Sequence, residues 1–275
     1  MRKPRWGTVH PRTLNGVHTL NVVQLSVVSD DRRERARSEK RERFLGAASR
    51  VVGERGLDGL TMQAVADQLD CAVGTIYGYF PSKAALLAAL QEEAVTTLMA
   101  SYRTGRETWD EALEDEGLEA ELRVLVHLQA FGAFFCAAAV VFGDEFELQR
   151  LLLTQRPPGM SADDLRPTMP VVVRLAEVPR GLLDEGVAAG VLEGGDNLER
   201  VVRWLASLDG VLLLDHLSGV DRHLFRAQHH GRALTADLLT GWGADRADVE
   251  VAASHVDRLV ALGPLAPPPT GPGFD

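Results

Sequence analysis

Cysteine, catalytic signatures and basic charge are all scarce in this chain, and each scarcity excludes something. Two cysteines, Cys71 and Cys136, stand far apart with no CxxC pair and no histidine at ligand spacing. That excludes a disulfide framework and a structural zinc site, and fits a reducing compartment. Nucleophile-elbow, P-loop, HExxH and GxGxxG patterns are absent, and no Ser/His/Asp arrangement replaces them, so an enzyme reading has no residues to stand on. His216, His223, His229 and His230 include no i,i+4 pair with a completing carboxylate, so no metal is expected, and no cofactor. Strand-type alternation and repeats of 20–50 residues are missing too. Aromatic residues make up only 6 %, yet 45 % hydrophobic and 25 % charged residues over 275 positions suffice for a sizeable core, excluding collagen and wholesale disorder.

The formal net charge of −10 taken alone argues against nucleic acid. Its distribution reverses that reading. Residues 1–83 carry 14 basic and 9 acidic residues, whereas residues 84–275 carry 15 and 30. At physiological salt the screening length is about 8 Å, so an acidic module placed further off barely opposes phosphate binding by a basic one.

The periodic pattern predicts an all-α chain. Residues 1–31 read as a disordered leader, without the cleavage site of a signal peptide. Charge is dense from Asp31 to Arg43; Phe44, Leu45, Ala48, Val51 and Val52 then recur at helical spacing until Gly56 stops the helix. Thr61 caps a short helix to Leu69, Asp70 turns, and Ala72–Phe80 form a second short helix closed by Pro81. Ser82 caps a long helix. Further helices are expected near 119–142, 145–155, 171–189, 197–217, 222–240 and 246–262. Gly190 ends one of them, and Asp196 with Glu199 forms a capping box. Pro157, Pro158, Gly159, Pro167 and Pro170 break the middle, and residues 264–275 read as a disordered Pro/Gly tail. The uncharged run Val124–Gly143 is long enough to span a bilayer. It is bracketed by acids without a basic flank, so a buried central helix is expected and no membrane partner.

Two short helices joined by a tight turn form the shape that enters a major groove. In Ala72–Phe80 a helical period puts Val73, Ile76 and Phe80 on the packing face, and Thr75, Tyr77, Gly78 and part of Tyr79 on the other. Gly74 and Gly78 permit close backbone approach, while the hydroxyls of Thr75 and Tyr77 suit phosphate or base edges. Lys83 adds a cation beside the free N–H groups of the next helix's first turn, which form a phosphate site. The leading arginines of the Arg32–Arg43 run are candidates for phosphate contact, or else a solvated helix face laced with Glu34, Glu39 and Glu42.

Over residues 41–90 the stretch LTMQAVADQLDCAVGTIYGYFPSKAALL resembles the TetR family of bacterial transcriptional regulators. The resemblance implies a helix-turn-helix DNA-binding domain over 32–83 joined to a helical effector-binding and dimerisation domain over 84–263. It implies a homodimer on a double-stranded DNA operator, most simply a cytoplasmic repressor released by a small apolar effector. It makes Thr61, Thr75, Tyr77, Tyr79 and Lys83 DNA contacts. A regulator without ligand control, whose C-terminal domain binds another protein, is the alternative. Departures from the family pattern are Asp70 at a turn glycine, Ala72 at a Ser/Thr cap, Gly78 at a larger polar residue and Cys71 at an aliphatic core place. Candidate pocket residues are His127, Phe131, Phe134, Phe135 and Trp204. Leu198, Val201, Val202, Leu205, Leu208, Val211 and Leu212 follow a helical stripe. The helices at 197–217 and 222–240 are expected to pair with their mates as a four-helix bundle.

Overall fold

A computed structural model describes residues 17–154, 166 and 169–262. Among these the chain is helical, without a strand: α1 (Val17–Gly59), α2 (Met62–Gln68), α3 (Val73–Tyr77), α4 (Lys83–Asp115), α5 (Ala120–Val141), α6 (Gly143–Thr154), α7 (Met169–Ala188), α8 (Asn197–Leu213), a 3-10 turn (Asp215–Gly219), α9 (Arg222–Phe225), α10 (Ala227–Gly241) and α11 (Arg246–Leu262).

The local signals act where the sequence puts them. Gly56 interrupts α1 with φ 68°, and Gly190 follows α7 with φ 75°. Thr61 Oγ1 accepts the Ala64 N–H at 3.0 Å, Ser82 Oγ accepts the Ala85 N–H at 3.1 Å, and Asp196 Oδ1 accepts the Glu199 N–H at 3.0 Å. Each satisfies one of the donors that a helix start leaves orphaned. Pro170 falls in the first turn of α7, where a missing N–H breaks no helix bond. The other expected breakers, Pro157, Pro158, Gly159 and Pro167, lie outside the described residues, as do residues 1–16 and 264–275.

Three boundaries differ from expectation. The first helix runs back to Val17, into the segment read as a leader, because no proline or glycine stands between Gly16 and Gly46 to stop it. The helix expected over 197–217 ends at Leu213, and the one over 222–240 splits at Arg226. Between them Asp221 caps α9, Arg226 takes extended backbone angles, and Asp215 accepts the Ala227 N–H at 2.8 Å and so caps α10 from twelve positions away.

Two cores share α4. Phe44, Leu45, Ala48, Val51, Leu60, Val65, Ile76, Phe80, Leu86 and Leu90 form the smaller, N-terminal one. Val95 through Leu113 of α4 join α5, α7, α8, α10 and α11 in the larger. At 1.5 Å per residue the 33 residues of α4 span about 50 Å, so one rigid rod runs from the first core into the second. Leu148 of α6 is buried in the N-terminal core, and Gln91 Nε2 of α4 donates to its carbonyl at 3.4 Å. At the centre of the larger core, α5 is long and apolar enough to cross a membrane, but 78 % of its apolar window is buried by the surrounding helices.

Candidate nucleic-acid interface

The interface is built on α2 and α3. Met62, Val65 and Ala66 anchor α2 in the N-terminal core. The chain then reverses at Asp70, whose φ of 49° is the one positive value at a non-glycine among the described residues. Asp is among the few L-residues that occupy this region at low cost, so the turn survives without glycine. Ala72 gives α3 no side-chain cap; its carbonyl instead accepts the Thr75 N–H at 2.8 Å. Only Ile76 of α3 is fully buried, and Phe80 closes the same face. Cys71 packs against this core, half-buried.

The opposite face is open. Tyr77 is 51 % exposed, Gly74 and Gly78 are exposed, and Thr75 is half-buried. A Cβ at Gly74 would meet nothing within 4 Å, so that surface is bare backbone ready for close approach. Thr61 is exposed, with its oxygen already accepting the cap bond.

Two expected contacts also make contacts within the chain. Tyr79 turns its ring inward, edge to face on Phe44 of α1 with centroids 5.1 Å apart, because the position falls on the flank between the two faces of α3. Lys83 is half-buried and its Nζ donates to the Leu57 carbonyl at 3.5 Å, tying the start of α4 to the end of α1. Sequence reasoning passed over the flank around Tyr79. Arg37 lies 5.8 Å and Lys40 6.0 Å from its ring centre, and Arg41 lies 5.4 Å over the Phe80 ring. The helical period counted backwards from Phe44 carries the signal: positions i−4 and i−7 are Lys40 and Arg37.

The five residues expected to line a pocket are buried in or against the larger core. Phe131 meets Tyr102 at 5.4 Å and Trp204 at 5.0 Å between centroids, and Tyr102 meets Phe134 at 5.2 Å. Phe135 packs edge to face on Phe146 at 4.9 Å. Rings at helical spacing on a helix buried all round satisfy one another. His127 brings Nε2 within 2.7 Å of Asp110 Oδ1, a close approach without the alignment of a hydrogen bond. Burial holds the imidazole below its ordinary range, and Asp110 opposes that.

Open space lies elsewhere. A cavity of about 440 Å³ sits where the ends of α5 and α8 meet α6 and α9. Cys136, Ala139, Phe146 and Leu212 are among its apolar lining, with Arg222, Arg226, His216 and the Arg150–Glu147 pair among the polar groups. Beside it Asp209 is 4 % exposed with no hydrogen-bond partner on either carboxylate oxygen; burial pushes its acid up to about 6, and Arg150 opposes the shift.

The α8 stripe divides into two faces. Val201, Trp204, Leu205 and Leu208 enter the core, while Leu198 and Val202 are 52 % and 61 % exposed and continue through Ala206 and Gly210 to Leu214. That outward row at i,i+4 spacing has no cover among the described residues.

Residues 44–90 match the family model described as bacterial regulatory proteins, tetR family. The HTH-type transcriptional repressor KstR of Rhodococcus jostii is 41 % identical over 66 residues, which are 24 % of this chain and 31 % of that protein. KstR of Mycobacterium tuberculosis is 48 % identical over 52 residues, 19 % of this chain and 24 % of its own length. The chain thus spans less than a third of the curated relatives it matches. RolR, solved without ligand, superposes with a TM-score of 0.51 at 18 % identity, covering 78 % of this chain and 96 % of RolR. The fatty acid degradation regulator FadR from Bacillus halodurans reaches 0.53 at 18 % identity, covering 73 % and 98 %. At such identities the two structures establish a shared fold.

Proposed function

We propose that the chain, whose residues 44–90 match the tetR family model, is a homodimeric transcriptional repressor, and not an enzyme, acting on duplex DNA in the cytoplasm. One observation carries the reading: α3 locks Ile76 into the core while holding Tyr77 and the bare backbone of Gly74 outward. A rod so mounted suits a groove about 12 Å wide. Thr61, Thr75, Tyr77, Gly78 and Lys83 are its contacts, with Tyr79 setting the angle of α3 through Phe44.

The uncovered α8 face supports a second copy as its occupant. Ala206 and Gly210 let two such helices approach closely, and a two-fold pairing sets two α3 helices about 34 Å apart on a palindromic operator.

For release, the 440 Å³ cavity is of a size that holds one small ligand, apolar in body with a polar end near Arg222 and Arg226. The route to DNA is short. Phe146, Glu147 and Arg150 of α6 face the cavity, while Leu148 of the same helix is seated in the DNA-binding core. A ligand that moves α6 therefore moves the support of α3, and a coupling of about 1–3 kcal/mol weakens operator binding roughly 5- to 150-fold.

The test is selection by the full-length protein from a randomised duplex library, followed by a small-molecule screen for release of the selected duplex. Enrichment of a palindrome, and release by a compound that Phe146→Trp blocks, are expected. Failure to enrich any duplex overturns the reading.

A further inference from the structure

The helix pair proposed to enter the groove has no cation of its own. Between Arg55 and Lys83 there is neither lysine nor arginine, while Asp58, Asp67 and Asp70 all lie there. Phosphate neutralisation supplies essentially all non-specific affinity for DNA and much of the specific affinity. The cations must come from a neighbouring element.

One is at hand. Every residue of α1 from 32 to 43 is exposed, so the helix that buries Phe44, Leu45, Ala47 and Ala48 continues for about 18 Å beyond that core. Arg37, Lys40 and Arg41 touch the domain here only by the Tyr79 and Phe80 rings they lie over, and the apolar core gains nothing from the stretch. It carries seven basic and three acidic residues. At 100° per residue Arg33, Arg37, Lys40 and Arg41 fall within an arc of about 100° that also contains Phe44, and Glu39 and Glu42 fall opposite. The arc leads into the interface: Phe44 stacks on Tyr79, and Arg37 and Lys40 flank the same ring.

We propose that this basic stripe of α1 is a second DNA-binding element, lying along the phosphates of the duplex that flanks the bases read by α3. The inference rests on the DNA-binding reading above. Charge complementarity and continuity with the α3 surface select duplex DNA as the occupant. Phosphate contacts position without specifying, so the stripe lengthens each half-site and strengthens binding without altering base preference.

The experiment compares full-length wild type with an Arg33→Ala, Arg37→Ala, Lys40→Ala triple variant on the library-selected duplex at several salt concentrations. Alanine keeps the helix, and the replaced side chains are exposed, so the domain core is untouched. The slope of log affinity against log salt is expected to fall by about 0.9 per lost phosphate contact, hence by nearly 3 per bound protomer. Going from about 50 to about 200 mM salt, the variant then loses roughly 40-fold less affinity per protomer than wild type does. Its hydroxyl-radical footprint shortens at both outer edges, and the enriched sequence is unchanged. A Glu39→Ala, Glu42→Ala control on the opposite face keeps both edges of the footprint, and an Arg33→Lys, Arg37→Lys variant keeps the slope. A triple variant with wild-type slope and footprint overturns the proposal and leaves the regulator reading standing. A wild type that binds no duplex overturns both.

Discussion

Trp204 donates its indole N–H to Thr235 Oγ1 at 3.1 Å, and the Thr235 hydroxyl donates onward to the Gly231 carbonyl at 2.8 Å. This chain of bonds joins α8 to α10 at the centre of the larger core, where both side chains are fully buried. It crosses the point at which Gly132 of α5 approaches α10: a Cβ at Gly132 would overlap Thr235 Oγ1. Thr235→Val keeps the shape but leaves the buried indole N–H unpaired, at a cost of about 1–3 kcal/mol. Gly132→Ala overpacks the same spot and costs a similar amount. Thermal unfolding checks both, and the double variant falls short of additivity because the two sites share one contact.

On the proposed function, Tyr77 reads sequence and Lys83 holds phosphate. Lys83→Ala weakens binding evenly across sequences and lowers the salt slope by about 1, whereas Tyr77→Ala weakens binding and changes which duplexes are preferred. Titrations on the selected duplex and on single-base variants distinguish them. Equal behaviour of both variants and wild type removes these contacts from the interface.

Val202→Glu tests the uncovered face of α8. The side chain is 61 % exposed, so the substitution leaves the monomer fold intact, with an unchanged far-ultraviolet circular dichroism spectrum. Buried across a two-fold it sets two carboxylates against each other in an apolar seam. Sedimentation is expected to give a dimer for wild type and a monomer for the variant, with palindrome affinity lost in parallel. A variant that stays dimeric places the interface elsewhere.

Asp209 makes stability depend on pH. Its folded acid sits at about 6 against an ordinary 3.8, so the protonated form is the one the fold prefers. Below about pH 4 both folded and unfolded chains carry the proton and nothing is lost. As pH rises towards 6 the unfolded chain ionises first, and above 6 the fold holds a buried charge at a cost of about 3 kcal/mol. Asp209→Asn is therefore expected to melt higher than wild type above pH 6, with the gap closing towards pH 4. A difference that does not vary with pH contradicts the assignment.

Much of the fold was legible because its signals are local. Thr61, Ser82 and Asp196 bond to an N–H three residues on, Asp70 takes a backbone angle of its own, and Gly56 and Gly190 stop helices where they stand. The two faces of α3 were legible for the same reason, since Ile76 and Tyr77 are adjacent residues about 100° apart on one helix. The pocket was not. Phe131, Phe134, Phe135 and Trp204 carry the same apolar signature whether they line a cavity or fill one another's space, and only packing distinguishes the two. Asp215 illustrates the limit: its role as the cap of α10 depends on a partner twelve positions away.

What the sequence determined by itself is the all-helical architecture, the helix-turn-helix with its resemblance to one family over residues 44–90, and the basic character of the N-terminal segment. These follow from periodicity, capping chemistry and charge order, which act within one or two turns of chain. Tertiary structure alone decided which aromatic rings fill the core, where open space remains, which face of α8 is exposed, and that Arg37 and Lys40 of α1 stand beside Tyr79. Those outcomes depend on contacts between residues distant in sequence, whose geometry no local pattern encodes.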